Sequence, residues 1–283
     1  MKEIKVVLAA LVCVATINGA MPSLDEALST VWNNYEYWLR SISSKPLVYS
    51  TTFHVWAHAG NNLYANVVTL CTLSDKHEIQ QAIDAVRSYA TTYQQHMGWW
   101  ITPQQSKIRA LLETSGFMLA ERNAFMVNPL GPKRSMRKHS SFTVKPLNAE
   151  DIDAWLALVA RTHGYDHTIK SKYRRTLKQE VANPNGVVSN YAASYKGVLA
   201  ATGSLMRSDR GGNLYHVAVS NQARNSDIKQ AMVSYIMGQA RNAGLAYVVT
   251  IVDAQDEPWY IQHRFNKLCD LDLYHYENKP SDC

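Results

Sequence analysis

Residues 221–232 read NQARNSDIKQAM, and the choice of fold hangs on them. They follow an alternating run, NLYHVAVS (residues 213–220), that has the period of a strand. They lead into a helical run. Ile228, Ala231, Met232, Tyr235, Ile236 and Ala240 fall at i, i+3, i+4, i+7, i+8 and i+12, one apolar stripe of an α-helix. A strand that turns directly into a helix presents unpaired backbone N–H groups, which can seat a phosphate. Glycine usually lines such a seat because it lets the backbone come close to the ligand. Here Asp227 and Lys229 occupy those places. Asn225, Ser226 and Asp227 are also good helix caps, so two readings of the turn stand open: a phosphate seat, or a capped helix.

The surrounding elements narrow the fold. Downstream, AYVVTIV (246–252) is apolar enough for a strand covered on both faces. DEPWYIQHRF (256–265) reads as a short helix and LDLYHYE (271–277) as a strand. Upstream come a strand FTVKPL (142–147), a helix at 148–164 that starts near Asn148, and a basic helical stretch at 167–184. GVVSNYAASY (186–195) and VLAATGSLMR (198–207) flank the turn Lys196–Gly197 as a hairpin. The order is β-α-α-β-β-β-α-β-α-β, a mixed α/β sheet. The first half repeats part of it. A helix over 23–44 opens with Ser23 and Glu26 as a capping box. Strands at 53–60 and 64–73, a helix at 74–96, a strand GWWITP (98–103), a helix at 106–117 and a strand at 117–130 follow. Between the halves, GPKRSMRKHSS (131–141) holds Lys133, Arg134, Arg137 and Lys138 and little to bury, which marks a linker.

The 283 residues suffice for two ordinary domains. The net charge of +6 is too diffuse to point to nucleic acid and suits an anionic small molecule as well. Cys13, Cys71, Cys269 and Cys283 have neither the spacing of a zinc site nor the density of a disulfide scaffold, and Cys71 and Cys269 read as small buried hydrophobes in strands. His163 and His167, beside Asp166, have no third ligand at a recognisable spacing, so no metal is expected. At the N-terminus, Lys2 and Lys5 precede an uncharged run from Val6 to Ile17, with Ala20 before a possible cleavage point. That layout fits a signal peptide over residues 1–20, although Asn18 stands where a small residue is preferred. An apolar first helix in a cytoplasmic protein is the other reading. No other segment has transmembrane length.

The element order, with its phosphate-turn candidate between fourth strand and third helix, resembles the GNAT superfamily of acyl-CoA-dependent N-acetyltransferases. The resemblance covers roughly residues 141–278. Against the family pattern V-x-P-x-x-R-G-x-G-I-G-x-A-L, the sequence supplies Val219, Arg224, Ile228, Ala231 and Met232 in register and departs at Asn221, Asn225, Asp227 and Lys229. Against L-Y-x-x-x-G-F it supplies Tyr260 and Phe265, with Arg264 in the glycine place. The first half, with WWITP, LLETSGF and AFMV, is similar to the leading half of two-part members. The resemblance implies two GNAT-like lobes, a degenerate one over 21–130 and an acetyltransferase domain over 142–283.

The resemblance further implies transfer of an acetyl group from acetyl-CoA to an amine. Backbone donors at Val217 and Val219 would face the thioester. Arg224, Asn225, Ser226, Asp227, Ile228 and Lys229 would hold the pyrophosphate, and Tyr260 would protonate the departing thiolate. A family base is often a Glu on the fourth strand; the corresponding place is near Asn213, which cannot serve. By alternation Tyr215 should share the face of Val217 and Val219, with His216 pointing away. His216 reads as a satisfied strand histidine. Asp227 bears on affinity: one repulsive pair at ~5 Å and an effective dielectric near 20 costs on the order of 3 kcal/mol. Lys229 offsets part of that. The alternative is a catalytically silent GNAT-shaped module that binds acyl-CoA or a protein. The acceptor and the oligomeric state are open, and export would require the cosubstrate to be met in another cytosol.

Overall fold

The structure, a computed structural model, describes residues 21–42, 44–58, 62–131, 142–223 and 227–277. The proposed signal peptide and nearly all of the basic connector lie outside them. The elements in chain order are α1 (Leu24–Ser41), β1 (Lys45–Tyr49), β2 (Phe53–Ala57), β3 (Val67–Cys71), α2 (Lys76–Tyr93), β4 (Met97–Ile101), α3 (Ser106–Thr114) and β5 (Met118–Pro129). Then follow β6 (Thr143–Pro146), α4 (Ile152–His163), α5 (His167–Ala182), β7 (Val188–Tyr195), β8 (Val198–Arg207), β9 (Gly211–Val219), α6 (Ile228–Asn242), β10 (Tyr247–Asp253), α7 (Glu257–Gln262) and β11 (Asn266–Tyr276). The β-α-α-β-β-β-α-β-α-β order expected after the connector is the one observed. Strand β1 carries no expectation from periodicity, since all five of its residues are exposed.

Local chemistry sets the element ends. The Ser23 hydroxyl accepts from the Glu26 N–H at 3.1 Å, as the capping box requires. Lys196 and Gly197 both have positive φ, 52° and 80°, the geometry of a two-residue hairpin turn between β7 and β8. Gly244 closes α6 at φ 78°.

The chain divides into two compact units that do not follow its linear order. The larger comprises the residues up to Val31, Met126–Thr250 and His263–Asn266; the smaller comprises Trp32–Phe125, Ile251–Gln262 and Lys267 onward. In the smaller unit β1, β2 and β3 form an antiparallel run, β3 and β4 are parallel, and β11 pairs antiparallel with β4. Its core gathers Ile79, Ile83 and Val86 of α2 with Trp99, Phe53 and Phe117. In the larger unit β6, β7, β8 and β9 are antiparallel, and β10 joins β9 in parallel. Three antiparallel strands, a helix and a parallel strand thus occur in both units.

The faces of the larger unit's sheet can be told apart by what meets them. A Cβ on Gly203 of β8 would lie 2.6 Å from Ile236 of α6, so Gly203 faces α6. Its neighbour Ser204 donates to Asn190 Oδ1 at 2.6 Å, and Asn190 Nδ2 donates to Glu180 of α5 at 2.7 Å, so that face belongs to α4 and α5.

Candidate functional site

Strand β9 is irregular where the site residues sit. Its pairing with β8 runs Thr202↔Ala218 and then Ser204↔Tyr215, so β9 holds one residue more than its partner between those pairs. This is a β-bulge, which leaves backbone groups out of the ladder and re-aims side chains. His216 takes up the extra turn with φ 53°, and its carbonyl accepts from Thr202 Oγ1 at 2.9 Å. The bulge corrects the expected alternation. Tyr215 and Ala218 both oppose β8 residues of the α4–α5 face, so Tyr215 lies with His216, its ring 4.5 Å away, and not with Val217 and Val219. Val219 opposes Ala201, in line with Gly203, and shares the α6 face with Val217.

The other edge of β9 is bounded differently. The parallel ladder with β10 covers Gly211–Asn213 against Tyr247–Val249, whereas the ladder with β8 continues to Val219. Among the described residues, β9 is therefore bordered on both edges up to Asn213 and on one edge beyond it. The half-buried Val217 and Val219 lie on the part with an open edge. Backbone N–H groups on such an edge are donors in search of an acceptor.

The strand then runs through a 3₁₀ turn, Asn221–Ala223, toward α6. Arg224, Asn225 and Ser226 lie outside the described residues. Asp227 stands at the N-cap with φ −73° and ψ 16°, and its side chain makes no capping hydrogen bond. Its carboxylate is exposed, and Lys229 is half-buried. Ile228 is fully buried, so its side chain belongs to the core and only its backbone can serve a ligand. The contrast with α2 in the smaller unit is direct. There Asp75 accepts from the N–H groups of His77 and Glu78 at 2.9 and 3.0 Å, so that helix end is closed.

Tyr260 lies on α7, in the smaller unit, and is 2% exposed. Burial, with Asp256 and Asp253 adding to it, raises its phenol far above the ordinary range, so it is a protonated donor at any working pH. Arg264 has φ 68°, the left-handed region that favours glycine, which is the residue usual at its motif position.

His216 is the satisfied strand histidine that the sequence suggests, but its partners are not legible there. It is buried, with Nε2 2.8 Å from the Tyr165 hydroxyl and Nδ1 3.5 Å from that of Tyr173. The ring of His163 lies 5.6 Å from it. Nothing in the spacing of residues 163, 165, 173 and 216 announces the group, since it is assembled by the packing of α4 and α5 on β9.

No family model matches the sequence, and no curated protein sequence matches it. Solved structures do. A GCN5-related N-acetyltransferase from Kribbella flavida superimposes with a TM-score of 0.66 at 12% identity, over 88% of this chain and 96% of that one. The fold is the GNAT fold in two-part form. A GCN5-related N-acetyltransferase from Sphaerobacter thermophilus gives a TM-score of 0.64 at 14% identity, over 76% and 72% of the two chains. A tandem GNAT protein from the clavulanic acid biosynthesis pathway gives 0.56 at 11% identity, over 81% and 79%. Within the GNAT fold, the turn at 221–229 and the bulged strand before it lie in the larger unit, whereas Tyr260 belongs to the smaller.

Proposed function

We propose that the chain is an N-acetyltransferase that takes acetyl-CoA as cosubstrate and transfers the acetyl group to an amine. The observation that carries this reading is the helix end at Asp227. Its side chain makes no capping hydrogen bond, and the helix begins after a strand whose edge, among the described residues, is open from Leu214 onward. A helix N-terminus favours a phosphate through both hydrogen bonding and the helix dipole. Arg224, Asn225, Ser226, Lys229 and the backbone of Ile228 would hold the pyrophosphate. Donors on β9 near Val217 and Val219 would stabilise charge developing on the thioester oxygen. Tyr260 would supply the proton to the departing sulfur. In the smaller unit the Asp75 cap occupies the donors of the corresponding helix, which supports reading that unit as the degenerate lobe.

A second reading, a silent GNAT-shaped binding module, is favoured by one feature: the exposed Asp227 carboxylate sits where a pyrophosphate would approach. Calorimetric titration with acetyl-CoA separates the two. The wild-type protein is expected to bind weakly. Asp227→Gly removes a like charge and a Cβ and is expected to tighten binding by roughly ten- to a hundredfold. Lys229→Ala is expected to weaken it by about tenfold. Absence of binding even in Asp227→Gly would end the acetyltransferase reading.

A further inference from the structure

His216 holds a backbone conformation that few side chains adopt. Between the pairs Thr202↔Ala218 and Ser204↔Tyr215, His216 and Val217 stand opposite the single residue Gly203. When the first residue of such a bulge lies in the left-handed region it is ordinarily glycine, because a Cβ crowds the following carbonyl oxygen there. Here that residue is His216, at φ 53°. A bulge built on a disfavoured residue persists only where its surroundings over-determine it. Without the bulge, one part of β9 would slip by a residue against β8 and its side chains would change face.

The surroundings fasten His216 through its carbonyl and both ring nitrogens. The carbonyl accepts from Thr202 Oγ1 of β8 at 2.9 Å. Nε2 lies 2.8 Å from the Tyr165 hydroxyl, and Nδ1 lies 3.5 Å from that of Tyr173 on α5. A hydroxyl can donate or accept, so the two tyrosines suit either tautomer of the ring. Trp155 of α4 meets the ring edge-on at 5.6 Å, and its own Nε1 donates to the Tyr191 carbonyl of β7 at 2.9 Å. Thr202, Trp155 and Tyr173 are buried. Tyr165 is held in turn. It follows Gly164, which ends α4 at φ 65°, and precedes Asp166, whose carboxylate accepts from the Ile169 N–H at 2.8 Å. Its own N–H donates to the Ala160 carbonyl at 2.9 Å.

We propose that His216 is a positioning residue for acetyl transfer: its fastened ring keeps the bulge formed, and the bulge keeps the β9 donors near Val217 and Val219 aimed at the thioester oxygen. This rests on the acetyltransferase reading. The His216 ring lies on the α4–α5 face, whereas Val217 and Val219 share the α6 face, so His216 acts through the backbone. In the step it serves, the amine nitrogen bonds to the carbonyl carbon, the C–S bond breaks, and the proton lost by nitrogen ends on the CoA sulfur. Negative charge gathers on the carbonyl oxygen as nitrogen attacks, and donors already in place stabilise it without reorganising. A group misplaced by about 1 Å can cost on the order of a hundredfold in rate.

The test reads the acetyl carbonyl directly and needs no acceptor. Acetyl-CoA isotope-labelled at its carbonyl is bound to the full chain at saturating concentration, and its stretching band is recorded by infrared difference spectroscopy. Calorimetry gives the affinity, and thermal melting reports the fold. A carbonyl held by the β9 donors is expected to absorb at lower frequency than that of acetyl-CoA free in water. Tyr165→Phe keeps the ring and removes the hydroxyl; His216→Gly keeps the left-handed backbone and removes the ring. Each is expected to lose at least half of the displacement, with acetyl-CoA affinity within about threefold of the wild type. A histidine that only fills the core would lower the melting temperature of His216→Gly and leave the band in place. The full displacement in a folded Tyr165→Phe therefore overturns the proposal, as it does in His216→Gly; if His216→Gly fails to fold, Tyr165→Phe decides alone. No displacement in the wild type with acetyl-CoA bound also overturns it, and leaves the cosubstrate reading standing. Absence of acetyl-CoA binding in both the wild type and Asp227→Gly is the failure of that reading, and the positioning role falls with it.

Discussion

Tyr260 is one of sixteen tyrosines, and burial alone does not set it apart, because Tyr173, Tyr247 and Tyr274 are buried as well. What singles it out is its place in W-Y-x-x-x-R-F, five residues before the buried Phe265. Tyr260→Phe keeps the packing and removes the hydroxyl. Turnover is expected to fall by roughly one to a few hundredfold with acetyl-CoA affinity almost unchanged, as read by steady-state kinetics beside calorimetry. Unaltered turnover would leave Tyr260 as a core aromatic. The neighbouring Arg264 shows how a motif persists in the backbone after its residue has changed. At φ 68° it keeps the left-handed turn that glycine would adopt freely. Sequence comparison sees only a lost glycine there, because φ is not written in residue identity when the surrounding packing imposes it.

At the scale of elements, what is legible is what repeats. The stripe Ile228, Ala231, Met232, Ile236 and Ala240 is buried as its helical period requires, while Tyr235 turns its ring toward Tyr191, 5.5 Å away. The hairpin turn at Lys196–Gly197 is readable because both its residues must take positive φ. The bulge in β9 is not readable. His216 is β-permissive, nothing in NLYHVAVS breaks the alternation, and the extra residue shows itself only against the register of β8. Missing the bulge puts Tyr215 on the wrong face and hides the group around His216. The packing of α6 on β8 depends on a small residue at the contact. Gly203→Ala would place a Cβ 2.6 Å from Ile236 and 3.2 Å from Met232. The helix must then shift, at a cost of about 1–3 kcal/mol. Denaturant titration should show the midpoint falling with the slope unchanged; an unchanged midpoint would mean that the two side chains give way freely.

For the whole molecule, the linear reading and the compact units part company at the C-terminal end. Residues 267–277 follow the basic connector in sequence, yet they belong to the unit built mainly from Trp32–Phe125. Strand β11 pairs with β4 through Asp272↔Ile101 to Tyr276↔Met97. Within that unit Asp272, 1% exposed, is held by Arg109 at 2.9 Å and by Arg122 at 2.8 Å, and the Tyr274 hydroxyl donates to Glu113 at 2.6 Å. A buried carboxylate that loses its partners costs about 3–5 kcal/mol. A protease that cuts between Lys133 and Lys138 is therefore expected to nick the chain without separating it. Mass spectrometry would show two fragments, and gel filtration in native buffer would show one peak at the elution volume of the uncut protein, splitting only in denaturant. Asp272→Asn keeps the shape but removes the charge that both arginines seek, and should lower the denaturant concentration at which the nicked fragments part. Two separate native peaks after the cut would mean that β11 contributes little to the unit in which it lies, and would support two independent lobes joined only by the connector.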